Sequence, residues 1–273
     1  MEDFKSRRIE CGGFTANSYL VFRPSRNDAM LIDAGDDFDA VMNKIESSGK
    51  RLTDILLTHG HFDHIMSAKR LRDETGARIH IHPLDAPYLR NPALNMLGMV
   101  ESTRTPFEPF DADEMLSEGP MLVAGLSVQV IPCPGHTPGG VSFYLPEQRA
   151  LYTGDTLFQV GFGRYDLPGG NVRSLYSSIK RLIAMPAPEE PSRHPLCQAF
   201  RFFLAALEGS PLEELQTAYQ RIAFHFLIVA IMLDKDEDPY PIFKSLSAPE
   251  HPFTQTGLDA YTRFSPDPEL MAM

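Results

Sequence analysis

Several features are scarce in this 273-residue chain, and each absence excludes a class of protein. The three cysteines (Cys11, Cys133 and Cys197) are odd in number and scattered, so the sequence offers no disulfide framework. The conspicuous apolar run, residues 222–233, has 12 residues, which is too few to span a bilayer. The charged N-terminal residues lack the apolar core of a signal peptide. We therefore expect a cytoplasmic protein without a membrane partner.

Positive charge is also scarce. The 25 lysines and arginines face 36 aspartates and glutamates, which leaves a net charge of −11. Binding to a phosphate backbone needs a basic surface, so nucleic acid is not an expected partner, and we expect a small-molecule substrate instead. A hydrophobic content of 43% and a charged content of 22% are typical of a globular protein. A chain of this length can bury a substantial core.

Histidine, in contrast, is concentrated in one place. His59, His61 and His64 lie with Asp63 in six residues, directly after an apolar run, residues 54–58, that predicts a buried strand. Loops at strand ends often carry the chemistry of α/β folds. Imidazole is the commonest metal ligand in proteins, and a carboxylate adds a hard oxygen donor. The cluster therefore predicts a metal site.

Further ligands should come from elsewhere, because one short loop cannot complete a coordination sphere. Residues 126–131 alternate like a strand and then break into a loop rich in proline and glycine that presents His136. A second predicted strand, residues 149–153, is followed by Asp155. Alone, His136 could be an ordinary loop histidine and Asp155 a helix cap. Beside the first cluster, both are candidate ligands.

These motifs resemble one known family. His59-x-His61-x-Asp63-His64, then Gly135-His136-Thr137, then Gly154-Asp155-Thr156 occur in the order typical of the metallo-β-lactamase superfamily. Residues 161–170 resemble the glyoxalase II-like branch, which contains the hydroxyacylglutathione hydrolases. The resemblance covers roughly residues 5–185. It implies an α/β fold, an αββα sandwich with the metals at one edge.

The resemblance also implies roles for individual residues. His59, His61 and His136 would hold a first metal, Asp63 and His64 would help to hold a second, and Asp155 would bridge the two. The expected cofactor is zinc, as one or two ions, with iron possible. The implied reaction is hydrolysis of a thioester, such as a hydroxyacylglutathione, by a metal-activated hydroxide.

Two further residues are candidates for this reaction. Asp63 is expected to orient the hydroxide as well as, or instead of, binding a metal. Arg164 is a candidate contact for an anionic substrate, because an acidic protein needs local positive charge to bind one. A purely structural or surface role for Arg164 is equally consistent with the sequence.

The chain departs from the family pattern at one ligand. The family usually completes the second site with a histidine in a loop after the helix that follows Asp155. Here residues 186–195 are rich in proline and contain one histidine, His194. A shortened loop could bring His194 to the metal, but its position also fits an exposed linker. Two alternatives therefore stay open. One is a mononuclear iron persulfide dioxygenase that would use His59, His136 and Asp155. The other is a metal-binding protein with a degraded second site and little turnover.

The remaining pattern predicts alternating strands and helices in a domain of residues 1–185. Strands are expected at 18–22, 29–33 and 78–82, and helices at 38–48, 65–75 and 173–185. His80 and His82 share a strand face at ligand spacing, but without a carboxylate nearby in sequence we expect packing or surface roles. Residues 91–118 predict either a lid or pocket wall, or a surface helix with a connector.

Residues 186–273 match no family that we recognise. A proline-rich linker is followed by stretches with helical pattern, which predicts a mainly helical C-terminal extension. It could cover the active site, support a homodimer, or be the divergence that removed the last ligand.

Overall fold

The computed structural model describes residues 4–11, 16–100, 103–148, 150–158 and 162–184. The predicted extension, residues 186–273, lies outside the described residues, and so do His194 and the homodimer contacts predicted for that extension. The division of the chain at residue 185 therefore stays a prediction.

Two β-sheets form the centre of the described chain. The first contains six strands in sequence order: β1 (Lys5–Cys11), β2 (Ala16–Phe22), β3 (Asp28–Ile32), β4 (Arg51–Leu56), β5 (Arg78–Ile81) and β6 (Glu114–Met115). Its first three strands are antiparallel neighbours, whereas β3 to β6 run parallel. The second is antiparallel, in the order β10-β9-β8-β7, from β7 (Gly119–Val123), β8 (Leu126–Pro132), β9 (Val141–Leu145) and β10 (Ala150–Tyr152).

Among the described residues, four α-helices accompany the sheets: α1 (Phe38–Ser48), α2 (Phe62–Ile65), α3 (Ala68–Thr75) and α4 (Val172–Ala184). The same part of the chain contains three short 3₁₀ helices, at Ala86–Leu89, Leu97–Met99 and Gly154–Thr156. None of the helices in the described ranges is long and apolar enough to cross a membrane.

Alternation along the strands divides the core into layers. On one face of the first sheet, Leu31 and Ile55 pack with Val41 of α1. On the opposite face, Ile32 and Leu56 pack against the second sheet. On the outer side of the second sheet, residues of β8 and of the loop after it pack against α4. Successive strand residues point to opposite faces, so both sheets can be covered on two sides. The predicted αββα sandwich is confirmed.

Helix α1 has the predicted bounds because its sequence carries both end signals. The Asp37 carboxylate accepts a hydrogen bond from the Ala40 amide at 3.1 Å, which caps the first turn. Gly49 follows the helix at φ 67°, a left-handed conformation that glycine adopts without strain, and its N–H bonds the Glu46 carbonyl. Local end signals therefore set the two bounds of this helix, and its apolar face packs against the first sheet.

The predicted single helix over residues 65–75 is wrong. Helix α2 ends at Ile65 and α3 begins at Ala68. The Ser67 N–H donates to the Ala34 carbonyl at 3.0 Å, so this N–H does not form the hydrogen bond that would continue α2. The Ala34 N–H in turn donates to the backbone carbonyl of His64 at 2.8 Å. The loop after β3 thus breaks the helix and holds α2 in place.

Residues 91–100 do not form the predicted surface helix. They contain one 3₁₀ turn, Leu97–Met99, in the described part of this segment. The Asn95 carbonyl accepts from the Phe62 N–H at 2.9 Å, and the Asn95 side chain donates to the Tyr88 carbonyl at 3.0 Å. The segment therefore packs directly against the start of α2.

Candidate metal centre

Three loops at one edge of the sandwich carry the predicted ligands. His59 follows β4, His61 precedes α2, and α2 itself carries Asp63 and His64. His136 lies between β8 and β9, and the short helix after β10 carries the last carboxylate, Asp155. The carboxyl ends of strands meet at an edge of a sheet, which is where ligands bind in α/β folds.

The fold brings all of these side chains together. Ligand atoms of His59, His61 and His136 lie within 4.8 Å of one another, and so do those of His59, His64 and Asp155. His61 Nδ1 faces His136 Nε2 at 2.8 Å. Asp155 reaches His64 Nε2 at 3.2 Å and His136 Nε2 at 3.5 Å. The sixth candidate, Asp63, lies 3.7 Å from His64 Nε2. His194 lies outside the described residues, so the ligand set as a whole stays a prediction.

Hydrogen bonds behind two histidines select their tautomers. His136 Nδ1 donates to the Arg164 carbonyl at 2.7 Å, and His64 Nδ1 donates to Asp33 Oδ2 at 2.9 Å. A ring whose Nδ1 carries the donated proton presents Nε2 as a lone pair when it is neutral. Both Nε2 atoms face the cluster, where a neutral ring could offer its lone pair to a metal, and an outer partner fixes each ring.

His59 is oriented by a longer relay. The Thr58 hydroxyl donates to the Asp33 carboxylate at 2.8 Å, so it is free to accept from His59 Nδ1, 3.1 Å away. Asp33 also accepts the Thr58 amide at 2.8 Å. One buried carboxylate thus controls His59 and His64 together. Asp33 itself is held at φ 57°, a conformation that side-chain-bearing residues rarely adopt, at the end of β3.

Burial and mutual repulsion favour neutral rings at two positions. Burial, together with the charges of the neighbouring histidines, lowers the pKa of His59 well below its ordinary value. Burial, followed by the charges of His136 and His64, lowers the pKa of His61 to about 3. Neutral imidazole is the form that binds a metal. These two rings are therefore ready to coordinate near neutral pH.

The other half of the cluster is more polar. Burial opposes a charge on His64, but Asp63, Asp155 and Asp33 together raise its pKa well above the ordinary value. Burial raises the pKa of Asp155, but the neighbouring histidines outweigh it and bring that pKa to about 2. Asp63 differs, because burial is the dominant effect and raises the pKa of its carboxyl. Near neutral pH Asp155 is therefore ionised and His64 carries a proton on Nε2, which a metal at this position would have to displace.

Two buried nitrogen atoms test whether this donor set fits a metal. Within the described part of the chain, His59 Nε2 and His61 Nε2 have no hydrogen-bond partner. A buried polar atom without a partner costs about 1–3 kcal/mol, so such atoms are rare in native proteins without a specific reason. Three imidazoles and a carboxylate are donors that zinc and iron both accept. The residues present fit a metal ion.

Glycine is required at two places beside the cluster. A Cβ on Gly163 would lie 1.8 Å from the Asp155 carbonyl oxygen. A Cβ on Gly154, which has φ 49°, would lie 2.4 Å from Thr58 Oγ1. Only residues without side chains let these loops approach so closely.

Arg164 enters the site through its backbone. Its carbonyl orients His136, whereas its guanidinium is 64% exposed and pairs with Asp166 through two hydrogen bonds of 2.9 and 2.8 Å. The Arg164 guanidinium is therefore accessible from solvent, and its contact with a substrate stays a prediction.

The sequence interpretation missed three residues that support the cluster, namely Asp33, Thr58 and Asp85. The sequence places Asp33 and Thr58 at the ends of two predicted strands, residues 29–33 and 54–58. For Asp33 and Thr58 the local signal is this position at a strand end, whereas the sequence around Asp85 offers no such signal.

Comparison with known proteins places the chain in a family. The family model described as Metallo-beta-lactamase superfamily matches residues 11–189. The chain belongs to this superfamily. It is 32% identical to the Bacillus subtilis protein named "Probable metallo-hydrolase YqgX", over 67% of this chain and 85% of that protein. It is also 32% identical to hydroxyacylglutathione hydrolase GloC of Haemophilus influenzae, over 63% of this chain and 81% of that one.

Solved structures show the same fold. The BLEG-1 B3 metallo-beta-lactamase aligns with a TM-score of 0.62 and 32% identity, over 67% of this chain and 87% of that one. TTHA1623 in a di-iron-bound form aligns with a TM-score of 0.57 and 35% identity, over 66% and 87%. ETHE1 from Myxococcus xanthus aligns at 0.53 and 26%, over 67% and 71%. Family membership supports a metal-binding hydrolase.

Proposed function

We propose that this protein is a metal-dependent hydrolase of a thioester, such as a hydroxyacylglutathione. The observation that carries the proposal is the buried cluster of imidazoles whose ligand atoms lie within 4.8 Å of one another, with His59 Nε2 and His61 Nε2 lacking a hydrogen-bond partner in the described part of the chain. The relative from Haemophilus influenzae that is named a hydroxyacylglutathione hydrolase supports the substrate class.

The metal would be held by His59, His61 and His136, with Asp155 beside them. When bound, it supplies a Lewis acid and a water of lowered pKa near a polarised carbonyl. His64 and Asp63 would complete a second position together with Asp155. Zinc is the expected ion. Iron is the alternative, because TTHA1623, which is 35% identical to this chain, has a di-iron-bound form.

The chain's own residues would position the reactants. The Asp63 side chain is 22% exposed, so it can reach a water at the mouth of the cluster and accept a proton at its carboxylate. The exposed Arg164 guanidinium would bind a carboxylate of the substrate, sharing its charge with Asp166.

The test is a panel of three assays on the full-length protein, loaded separately with zinc and with iron. The panel measures hydrolysis of a hydroxyacylglutathione, hydrolysis of a β-lactam, and oxygen uptake with a glutathione persulfide. We expect the thioester to give the highest kcat/KM, without oxygen uptake. Faster β-lactam hydrolysis would contradict the substrate class.

The same assays test two alternative functions. Oxygen consumption that depends on a persulfide would favour a dioxygenase using His59, His136 and Asp155. Bound metal without turnover of any of the three substrates would favour a protein with a degraded second site. Each candidate function predicts a different combination of results, so the panel distinguishes the candidates.

A further inference from the structure

A fully buried carboxylate outside the ligand set joins two of the ligand-bearing loops. Asp85 precedes the short helix Ala86–Leu89 and is 0% exposed. Its Oδ2 accepts the Gly60 N–H at 3.0 Å, and its Oδ1 accepts the Gly139 N–H at 2.6 Å. Gly60 lies between His59 and His61, whereas Gly139 lies three residues after His136. One side chain therefore connects the two loops that carry the first three candidate ligands.

The two contacts require a carboxylate. Each oxygen of Asp85 accepts one backbone N–H, and burying a charged group is costly unless such bonds compensate for it. An asparagine could satisfy only one of the two donors, because its NH₂ group would face the other N–H. The approach is also close, since a Cβ on Gly139 would lie 2.7 Å from the Asp85 backbone nitrogen and from its Oδ1.

The same turn reaches a third loop. The Tyr88 hydroxyl donates to the Pro168 carbonyl at 3.0 Å, and a Cβ on Gly60 would lie 2.4 Å from the Tyr88 Cβ. The loop that contains Pro168 also contains Arg164, whose carbonyl orients His136. The segment from Asp85 to Tyr88 is thus a common support for all three loops.

We propose that Asp85 is a positioning residue that sets the distance between His59 and His61 on one loop and His136 on the other, and so sets the affinity of the centre for its metal. The proposal rests on the metal-binding function proposed above. Partners that orient ligands typically contribute 10–100-fold to metal affinity, and Asp85 would act in this way through the backbone of both loops.

The test compares Asp85→Asn with a matched variant, Asp36→Asn, in the full-length protein. Asp36 is also buried, at 1% exposure, and its carboxylate also accepts two backbone N–H groups, from Arg104 at 2.9 Å and Thr105 at 2.7 Å. Those contacts hold a segment that carries no ligand. Zn²⁺ affinity is measured by competition with a chromophoric chelator, and the visible spectrum is recorded at saturating Co²⁺.

We expect Asp85→Asn to lower the Zn²⁺ affinity about 10–100-fold and to shift the Co²⁺ spectrum. Asp36→Asn should destabilise the fold to a similar degree but leave both readouts at their wild-type values. Equal Zn²⁺ affinity in Asp85→Asn and the wild type would overturn the proposal, as would an equal loss in both variants.

A second variant covers the case in which Asp85→Asn does not fold. Gly139→Ala displaces the same carboxylate without changing its charge and should also lower Zn²⁺ affinity, whereas unchanged affinity would overturn the proposal. A wild-type protein that binds neither Zn²⁺ nor Co²⁺ would instead contradict the proposed function itself, so the two failures are distinguishable.

Discussion

Two regions of this protein have the same histidine spacing but different environments. His59 and His61 lie on the loop after β4, whereas His80 and His82 lie on and just after β5, again two residues apart. His80 Nε2 donates to Asp54 Oδ1 at 2.8 Å, and His82 Nδ1 accepts the Leu84 N–H at 3.3 Å. On the loop, by contrast, both Nε2 atoms are buried without a partner in the described part of the chain.

The difference shows what distinguishes a metal site from a packed histidine. Spacing alone does not distinguish the two regions, because both pairs of histidines are two residues apart. What differs is whether the protein itself satisfies the inward-facing nitrogen atoms. In the strand a carboxylate does so, and the expected packing role of His80 agrees with its burial. On the loop, one nitrogen atom of each ring, Nε2, is left without a protein partner among the described residues and is available to a ligand.

The largest expected effect separates the two regions directly. His59→Ala should remove the metal and lower thioester hydrolysis by more than about 100-fold, because loss of a partner behind a ligand already costs 10–100-fold. His80→Ala should keep the metal and lose only stability. Metal content per chain by elemental analysis, together with kcat/KM, checks both variants. Wild-type metal content in His59→Ala would contradict the assignment of the loop histidines as metal ligands.

The two buried carboxylates that bond histidines provide the next contrast. In Asp33→Asn the amide NH₂ cannot accept the proton of His64 Nδ1 while its oxygen bonds Thr58, so His64 loses its orientation. Metal affinity should fall about 10–100-fold. Asp54→Asn, which alters the partner of His80, should leave metal affinity unchanged. Chelator competition measures both, and an equal effect on the two variants would contradict the assigned difference between the regions.

The Asp54 pair should instead control stability as a function of pH. Burial raises the pKa of Asp54, but its hydrogen bond with His80, with smaller effects of Thr53 and Arg78, lowers that pKa overall. A carboxyl with a lowered folded pKa stabilises the protein above its unfolded pKa of about 3.9, and this contribution is lost as the pH falls through the folded value.

Asp54→Asn should therefore lower the free energy of unfolding by about 1–3 kcal/mol at pH 7, and the difference from the wild type should shrink below about pH 4. Urea unfolding of both proteins at pH 7 and at several values between about 3 and 5 tests this pH window. A difference that does not change with pH would mean that the charge of Asp54 is not the stabilising feature.

The smallest effect on activity is expected for Arg164, whose side chain is exposed beside the metal centre. Arg164 contributes its carbonyl to His136, which a substitution preserves, and its guanidinium is largely exposed. Arg164→Ala should keep the full metal content and raise KM for an anionic thioester about two- to fivefold, since exposed ion pairs contribute about 0.2–1 kcal/mol. An uncharged thioester is the control substrate. An equal rise for both substrates would assign Arg164 a structural role.

Local signals made part of this architecture predictable. The cap at Asp37 and the glycine at residue 49 define α1 from its own sequence. The ligand cluster was predictable for a similar reason, because His59, His136 and Asp155 each follow a strand. Strand ends that meet at one edge of a sheet bring their loops together without further information.

The remainder depends on contacts between residues that are distant in the sequence. Ser67 bonds Ala34, which breaks a helix that its own sequence favours. Asp33 reaches Thr58 across 25 residues, and Asp85 reaches Gly139 across 54. A single aspartate in a turn carries no sign of these partners, because only the packed loops bring the donors within reach of its carboxylate.

The most direct test of the metal centre is anomalous diffraction from crystals of the full-length protein, recorded on both sides of the zinc and iron absorption edges. We predict an anomalous peak at coordination distance, roughly 2.0–2.3 Å, from nitrogen atoms of His59, His61 and His136. A second peak beside His64 and Asp155 would identify a two-metal centre. Crystals grown with zinc or iron that show no peak among these three histidines would contradict the account.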